Sequence, residues 1–375
     1  MAVYKLFPIS DTTLYSGYPS MNTGLDEIIE ASTNFTIGVT ETSGQYPQTS
    51  RYLIKFDSAD INDIINNRIS GSTWQSNLRV FISNATGLSN TSSMAVNAVA
   101  ENWSMGTGHY LESPEVNNGC SWIWKDYSGS AKWTTASFAS GTTASFNLTN
   151  NPSSSGGGVW YTGSQASQSF SFYSDLDLNT NVTSIVSRWY SSSFINYGFI
   201  VRQTESQEFI ANNNSQVTLK YFSRDTHTIY PPQLEFKWND FTYSTGSLTV
   251  LNTTPARVTI DQNPGVFYSS SVNIFSVNAA PEYPARAWVT SSVYTQNYAL
   301  PTASYYAIKD LDTDEYVIDF DTTYTKLSCN SSGSFFTLYM NGLEPERYYK
   351  ILIQTTINGS TLVFDNNYNF KIVNG

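Results

Sequence analysis

A chain of 375 residues is long enough for about two domains, each with its own core. Only 13% of its residues are charged while 15% are aromatic, a balance that excludes a disordered acidic chain. The formal net charge of −11 leaves no general basic face for nucleic acid, and no nucleic-acid partner is expected.

The first eight residues, Met1-Ala2-Val3-Tyr4-Lys5-Leu6-Phe7-Pro8, hold no apolar export core and no cleavage site, so no signal peptide is predicted. No apolar run approaches the ~20 residues of a membrane span, and no membrane partner is expected. From there the dominant period is two. Tyr52, Ile54 and Phe56 alternate within Arg51–Phe56, as do Leu78, Val80 and Ile82, then Met94, Val96 and Ala98. Tyr197, Phe199 and Val201 repeat the pattern, followed by Val217, Leu219 and Tyr221, then Leu234, Phe236 and Trp238. Gly, Asn, Ser and Pro clusters separate these runs, which predicts an antiparallel sandwich.

Two short helices should interrupt the strands. Asp57 and Ser58 can cap a turn carrying Ile61, Ile64 and Ile65, and Asn181 can cap one carrying Val182, Ile185, Val186 and Trp189 on one face. Neither is long enough to stand alone, so each apolar stripe must lie against a sheet. Trp133–Ser174 contains no charged residue and includes Asn150–Gly158. Its composition reads either as a polar loop or as a segment pressed on a partner, with Trp160 and Tyr161 as anchors and Asn151–Gly158 ordered by that partner.

A boundary is expected near Trp238-Asn239-Asp240, dividing the chain into residues 1–240 and 241–375. Both parts are acidic. The second part is again period-two, at Val258 and Ile260, Val272 and Ile274, Tyr316, Ile318 and Phe320, and Tyr349, Ile351 and Ile353. Its length fits one immunoglobulin-like or related sandwich, so the whole chain is read as all-β.

Catalytic chemistry has few candidates. His109 and His227 lie in polar loops with no nucleophile setting beside them, and they read as exposed or hydrogen-bonded loop residues. Asp310-Leu311-Asp312-Thr313-Asp314-Glu315 opens like a calcium loop, but Glu315 stands where the sharp turn needs Gly. A polar hairpin turn explains the string without metal. Cys120 and Cys329 fall in different parts, which predicts no disulfide and no zinc site, and both read as apolar packers. No cofactor is expected. Trp103, Trp122, Trp124, Trp133 and Trp160 are candidates for stacking on sugars, against the alternative of core and edge packing. The candidate partner or glycan contacts are therefore Trp160, Tyr161, Trp122 and Trp124.

The first part resembles the DNRLRE-type jelly-roll domain, a carbohydrate-binding-module-like sandwich. The likeness rests on Ser10–Gly17, Arg51–Asp57, Glu101–Gly108 with Gly119–Trp122, Val182–Trp189 with Asn196–Phe199, and Pro232–Phe236. The second part resembles a segment of virion structural proteins of marine contractile-tailed bacteriophages, through Tyr283–Arg286, Leu300-Pro301, Ser304–Asp310 and Leu343–Lys350. Together these resemblances imply a jelly-roll β-sandwich followed by an immunoglobulin-like one. They imply a non-enzymatic structural protein of a tailed-phage virion, in the tail, baseplate or capsid surface. Many copies would be held to other virion proteins after assembly in the host cytoplasm. The alternative is a carbohydrate-binding or adhesion module recognising host-surface glycans.

Overall fold

The computed structural model describes residues 2–35, 47–69, 73–88, 91–134, 142–144, 156–208, 217–261, 265–284 and 296–375. Strands dominate them, and the chain is all-β. It divides into two compact units, one of Leu6–Arg68 and Gln75–Glu235, the other of Phe236–Gly375 with Met1–Lys5 and Ile69–Trp74. Three short segments that the sequence assigns to the first part, Met1–Lys5, Ile69–Trp74 and residues 236–240, thus belong to the second unit.

In the first unit the period-two runs form a nine-stranded sheet. Its order is Thr142–Ala144, Val159–Phe170, Ser92–Val99, Phe199–Gln203, Pro47–Lys55, Ile28–Phe35, Val217–Phe222 and Ile82–Thr86, with Ser10–Tyr15 also paired to Pro47–Lys55. The pairs of known register are antiparallel; Phe199 lies opposite both Ile54 and Ala98. Leu178–Asn181 pairs antiparallel with residues 77–80, with Leu178 opposite Val80.

Alternation does not separate a wet face from a dry one at the centre of the large sheet. Tyr52, Leu53 and Ile54 are all fully buried, as are Met94 to Val99. Leu53, Val99 and Ile200 face a cluster of Leu14, Trp103, Trp122, Trp133, Val159 and Trp160, so this part of the sheet is covered on both sides. Where cover is one-sided the pattern is clean: Val217, Leu219 and Tyr221 are buried and Thr218, Lys220 and Phe222 are not.

Both predicted helices form. In α1 (Ser58–Asp63) the Asp57 carboxylate accepts the Ala59 N–H at 2.7 Å, and Ile61 is buried. The chain continues as one π-turn, Ile64–Arg68. In α2 (Thr183–Tyr190) Asn181 Oδ1 accepts the Thr183 N–H at 3.0 Å, and Val182, Ile185, Val186 and Trp189 are buried.

The second unit has two sheets. One has the order Ala256–Asp261, Val272–Pro281, Gly333–Tyr339 and Ser328–Asn330. The other has the order Val266–Tyr268, Ser360–Val373, Tyr348–Ile357, Ser304–Asp310 and Tyr316–Ile318. Phe275, Val277, Phe336 and Leu338 of the first share one core with Tyr306, Ile308, Ile351, Ile353 and Phe370 of the second. Stacked rings fill it, with Tyr306 4.4 Å and Phe275 5.2 Å from Phe336. Val3 joins this core, and Asn341 Nδ2 donates to the Lys5 carbonyl at 2.6 Å, which ties the N-terminal strand to the unit. Val272 and Ile274 point the other way, 46% and 67% exposed.

Candidate functional site

Four aromatic residues predicted as partner or glycan contacts fall into two groups. Trp122 and Trp160 are buried and lie against two buried arginines. The Arg51 guanidinium lies 4.9 Å from the Trp122 ring and 5.2 Å from the Trp160 ring, and that of Arg202 lies 4.5 Å from Trp160. Arg51 Nε and Nη2 donate to the Glu208 carboxylate at 2.9 and 3.0 Å. A planar, weakly hydrated guanidinium can be buried when ring faces and a carboxylate surround it, and the two indoles serve that purpose. Trp103 and Trp133 are buried too, their indole N–H groups donating to the Tyr197 and Ser121 carbonyls.

Trp124 and Tyr161 remain half-exposed. Trp124 meets Tyr127 edge-on at 5.1 Å and lies 4.8 Å from the Lys132 ammonium. Tyr161 stacks flat on Phe194 at 3.9 Å.

In the charge-free stretch, Asn151–Ser155 lie outside the described residues. Gly156–Gly158 are buried against their own chain. Arg51 Nη1 donates to the Gly157 carbonyl at 2.7 Å, and Gly157 N–H donates to the Trp122 carbonyl at 2.5 Å. At Gly157, with φ +84°, a Cβ would stand 2.8 Å from both Arg51 and Trp122. Glycine is used here because the backbone itself packs on the buried arginine.

The loop after α2, residues 191–198, forms a wall of two clefts. Asn196 shapes it: its Oδ1 accepts the Gly198 N–H at 3.0 Å, and its Nδ2 donates to Phe56 O and Ser58 Oγ at 3.0 and 3.1 Å. Gly198, at φ +94°, passes so close to the Ile54 carbonyl that a Cβ would overlap it.

One cleft, of about 440 Å³, is lined by Glu101, Asn102, Trp103, Lys125, Asp126 and Tyr197 among others. Its carboxylate Glu101 is already engaged, accepting the Thr134 N–H at 3.1 Å, the Thr134 hydroxyl at 2.5 Å and the Lys125 ammonium at 3.3 Å. The other cleft, of about 250 Å³, is lined by Ile61, Asn62, Trp189, Tyr190, Phe194 and Ile195 together with Ser58, Ser192 and Asn196. It has no charged side chain in its wall. Tyr161 therefore reaches a cleft indirectly, through Phe194. The sequence reading missed Tyr190, Phe194 and Ile195; the signal was an aromatic and aliphatic pair set in a serine run just past the helical stripe.

Other titratable groups lie outside these two clefts. His109 lies 3.6 Å from Asp26 and His227 lies 3.4 Å from Glu27, both histidines largely exposed. Asp310 accepts from Arg347 Nε and Nη2 at 2.7 Å each, and from the Asp312 and Thr313 N–H groups of its own turn. Burial would push its carboxyl up, but these donors hold it below the usual carboxylate range. The acidic string is thus a hairpin turn between Ser304–Asp310 and Tyr316–Ile318. Cys120 and Cys329 are buried free thiols, each pushed up by burial. Among the described residues, no three of His, Cys, Asp and Glu converge as metal ligands, and no helix is long and apolar enough to cross a membrane.

No protein family matches this chain, and no curated protein matches it. Two solved structures align weakly. A DUF4785 family protein from Legionella pneumophila shares 9% identity at a TM-score of 0.18, over 98% of this chain and 66% of its own. The β-glucuronidase of Parabacteroides merdae shares 8% identity at a TM-score of 0.15, over 96% of this chain and 36% of its own. The chain therefore spans less than two thirds of either, and similarity at this level assigns neither fold nor activity.

Proposed function

We propose that this protein is a non-catalytic structural component of a tailed-phage particle, with a DNRLRE-type jelly roll as its first unit and an immunoglobulin-like sandwich as its second. The observation that carries the reading is the large apolar side chains standing exposed on ordered strands of the second unit. Val272 and Ile274 stand exposed on one sheet and Val266, Tyr268 and Tyr348 on the other, all within strands. Exposed apolar side chains on rigid strands favour burial against another protein, and interface cores favour such residues over Lys, Glu and Asp. The carboxylates Glu101, Glu208 and Asp310 are meanwhile held by cationic partners within the fold rather than presented to a substrate. The phage resemblance of the second part supplies the setting, and many weak contacts on one lattice hold through avidity.

Electron microscopy of purified particles tests this. Repeated density fitting the chain supports it; absence from particles, together with a free monomer in solution, overturns it. A second reading, a recognition module for surface glycans, is favoured by the charge-free aromatic cleft beside α2.

A further inference from the structure

We infer that copies of this chain join head to tail through their first units, the aromatic turn at Phe172-Tyr173 of one copy seating in the cleft beside α2 of the next. The inference rests on the assembly reading above and names a partner for it, a second copy. The turn is the starting point. Tyr173 is 94% and Phe172 70% exposed, and their rings meet edge-on at 5.2 Å. The turn is nonetheless held in shape. The Ser171 N–H donates to Ser174 Oγ at 2.7 Å, the Ser174 hydroxyl donates to the Ser171 carbonyl at 2.9 Å, and Phe170 just before it is buried. Rings presented to water on a fixed turn lose little freedom on binding, which suits them as interface anchors.

The cleft is the complement within the same unit. Ile61, Trp189, Tyr190, Phe194 and Ile195 form its apolar walls, and its other lining residues are serine and asparagine. Such a lining admits many neutral groups; the turn selects among them, because it offers an uncharged ring with a hydroxyl at its tip. A cleft of about 250 Å³ lies below the ~300–1,000 Å³ of pockets that enclose a whole small molecule, so it takes one ring, Tyr173, with Phe172 against the rim. The walls are set beforehand, the Tyr190 hydroxyl donating to Asn66 Oδ1 at 2.7 Å and Phe194 stacked by Tyr161. Charge agrees. Exposed Asp175 follows the turn, and half-buried Arg188 lies 4.8 Å from the Phe194 ring. Arg188 donates to the Gly163 carbonyl and Asp175 accepts the Asp177 N–H, but neither has an ion-pair partner among the described residues. In the contact the two charges face each other.

Distance makes the contact intermolecular. The strand Val159–Phe170 links the two features: Tyr161 near its start stacks on Phe194 of the cleft, and the turn follows its end. From Tyr161 to Phe170 the strand runs roughly 30 Å at ~3.3 Å per residue, so the turn does not reach the cleft of its own chain. A donor and an acceptor at opposite ends of one unit make a heterologous contact, and each copy added leaves one of each free for the next. In such a row many weak contacts hold through avidity.

Sedimentation velocity on the full chain, from about 5 to about 500 µM, is the test. The parent protein should gain mass with concentration and pass beyond the dimer. Phe172→Ser with Tyr173→Ala removes the donor, and Ile195→Asp puts a charge in the acceptor. These three residues are exposed, so neither variant's melting curve should move, and each variant alone should stay monomeric. Mixed in equal amounts the two variants should form a dimer and stop, because the one intact turn and the one intact cleft are then used up. The contact is overturned if the parent stays monomeric at the highest concentration, if it stops at a dimer, if either variant associates as the parent does, or if the mixture stays monomeric. A glycan whose binding is lost in Ile195→Asp, with no association of the parent, gives the cleft to the recognition reading and overturns the contact. Particles that incorporate both variants as well as the parent overturn the contact and leave the assembly reading standing. A chain absent from particles and monomeric throughout overturns both.

Discussion

Arg51 and Glu208, 157 positions apart, face each other through two parallel hydrogen bonds of 2.9 and 3.0 Å, and neither side chain reaches solvent. Arg202 Nη1 stands 4.0 Å from the same carboxylate. Two cations and one anion are thus buried together, with Trp160 over both arginines and Trp122 over Arg51. This grouping fixes the strand Pro47–Lys55 to the segment after Phe199–Gln203 and to Gly157.

Removing the shared anion should be severe. In Glu208→Ala both guanidinium groups lose their buried carboxylate, and breaking a buried pair typically costs ~3–5 kcal/mol. Urea denaturation followed by tryptophan fluorescence should show that loss. The double variant Arg51→Met with Glu208→Leu should lose less than Glu208→Ala, since it removes a charge of each sign together. An equal or greater loss would show that the pair contributes more than its own compensation.

Gly156 is the next test. Its φ is +151°, and an added Cβ would overlap the Trp122 carbonyl oxygen. Backbone strain of this kind costs on the order of 1–3 kcal/mol, before any shift of Trp122 is counted. Gly359 has φ +78° with nothing near a Cβ, so Gly359→Ala should cost only about 1 kcal/mol. Comparing the two melting shifts separates steric clash from conformational strain alone.

The strands, the two helical stripes and the hairpin at Asp310 were legible because each depends on neighbours within a few residues. Asp57 caps its own helix, and Val182, Ile185 and Trp189 share a face by spacing alone. The roles of Trp122 and Trp160 were not legible. Whether an indole stacks on a ligand or covers an arginine depends on Arg51, far away in sequence, and no local pattern marks Arg51 as buried. The cleft beside α2 was half visible: Tyr161 was noted for lying in an uncharged stretch, but the partner it stacks on, Phe194, comes from a distant loop. Because the central strands are covered on both faces, the alternation read at Tyr52, Ile54 and Phe56 did not tell a wet face from a dry one: Leu53 between them is equally buried.

Trp189 should anchor the first unit. It is buried with Ile185 and Val186, and its ring centroid lies 4.5 Å from that of Phe199. Trp189→Ala leaves a cavity the size of an indole and should cost ~3–5 kcal/mol. A calorimetric scan should show a marked fall in melting temperature, and an unchanged curve would mean the indole contributes no packing energy.

The stability of the first unit should decline across mildly acidic to mildly basic pH because of Asp11. Burial pushes this carboxyl up to about 8; the Arg224 N–H donating to its Oδ2 at 2.7 Å pulls it back, and Asp225 pushes it up further. In the unfolded chain the group titrates near ~3.9. Between those values the folded state keeps a proton that the unfolded state has released, so unfolding becomes easier as pH rises from about 4 to about 8. The loss is complete above the folded value. Asp11→Asn retains an oxygen to accept the Arg224 N–H and carries no charge at any pH. Its melting temperature should therefore stay flatter over that window and exceed that of the parent protein at pH 8. Parallel curves for the two proteins would show that Asp11 is not the group responsible.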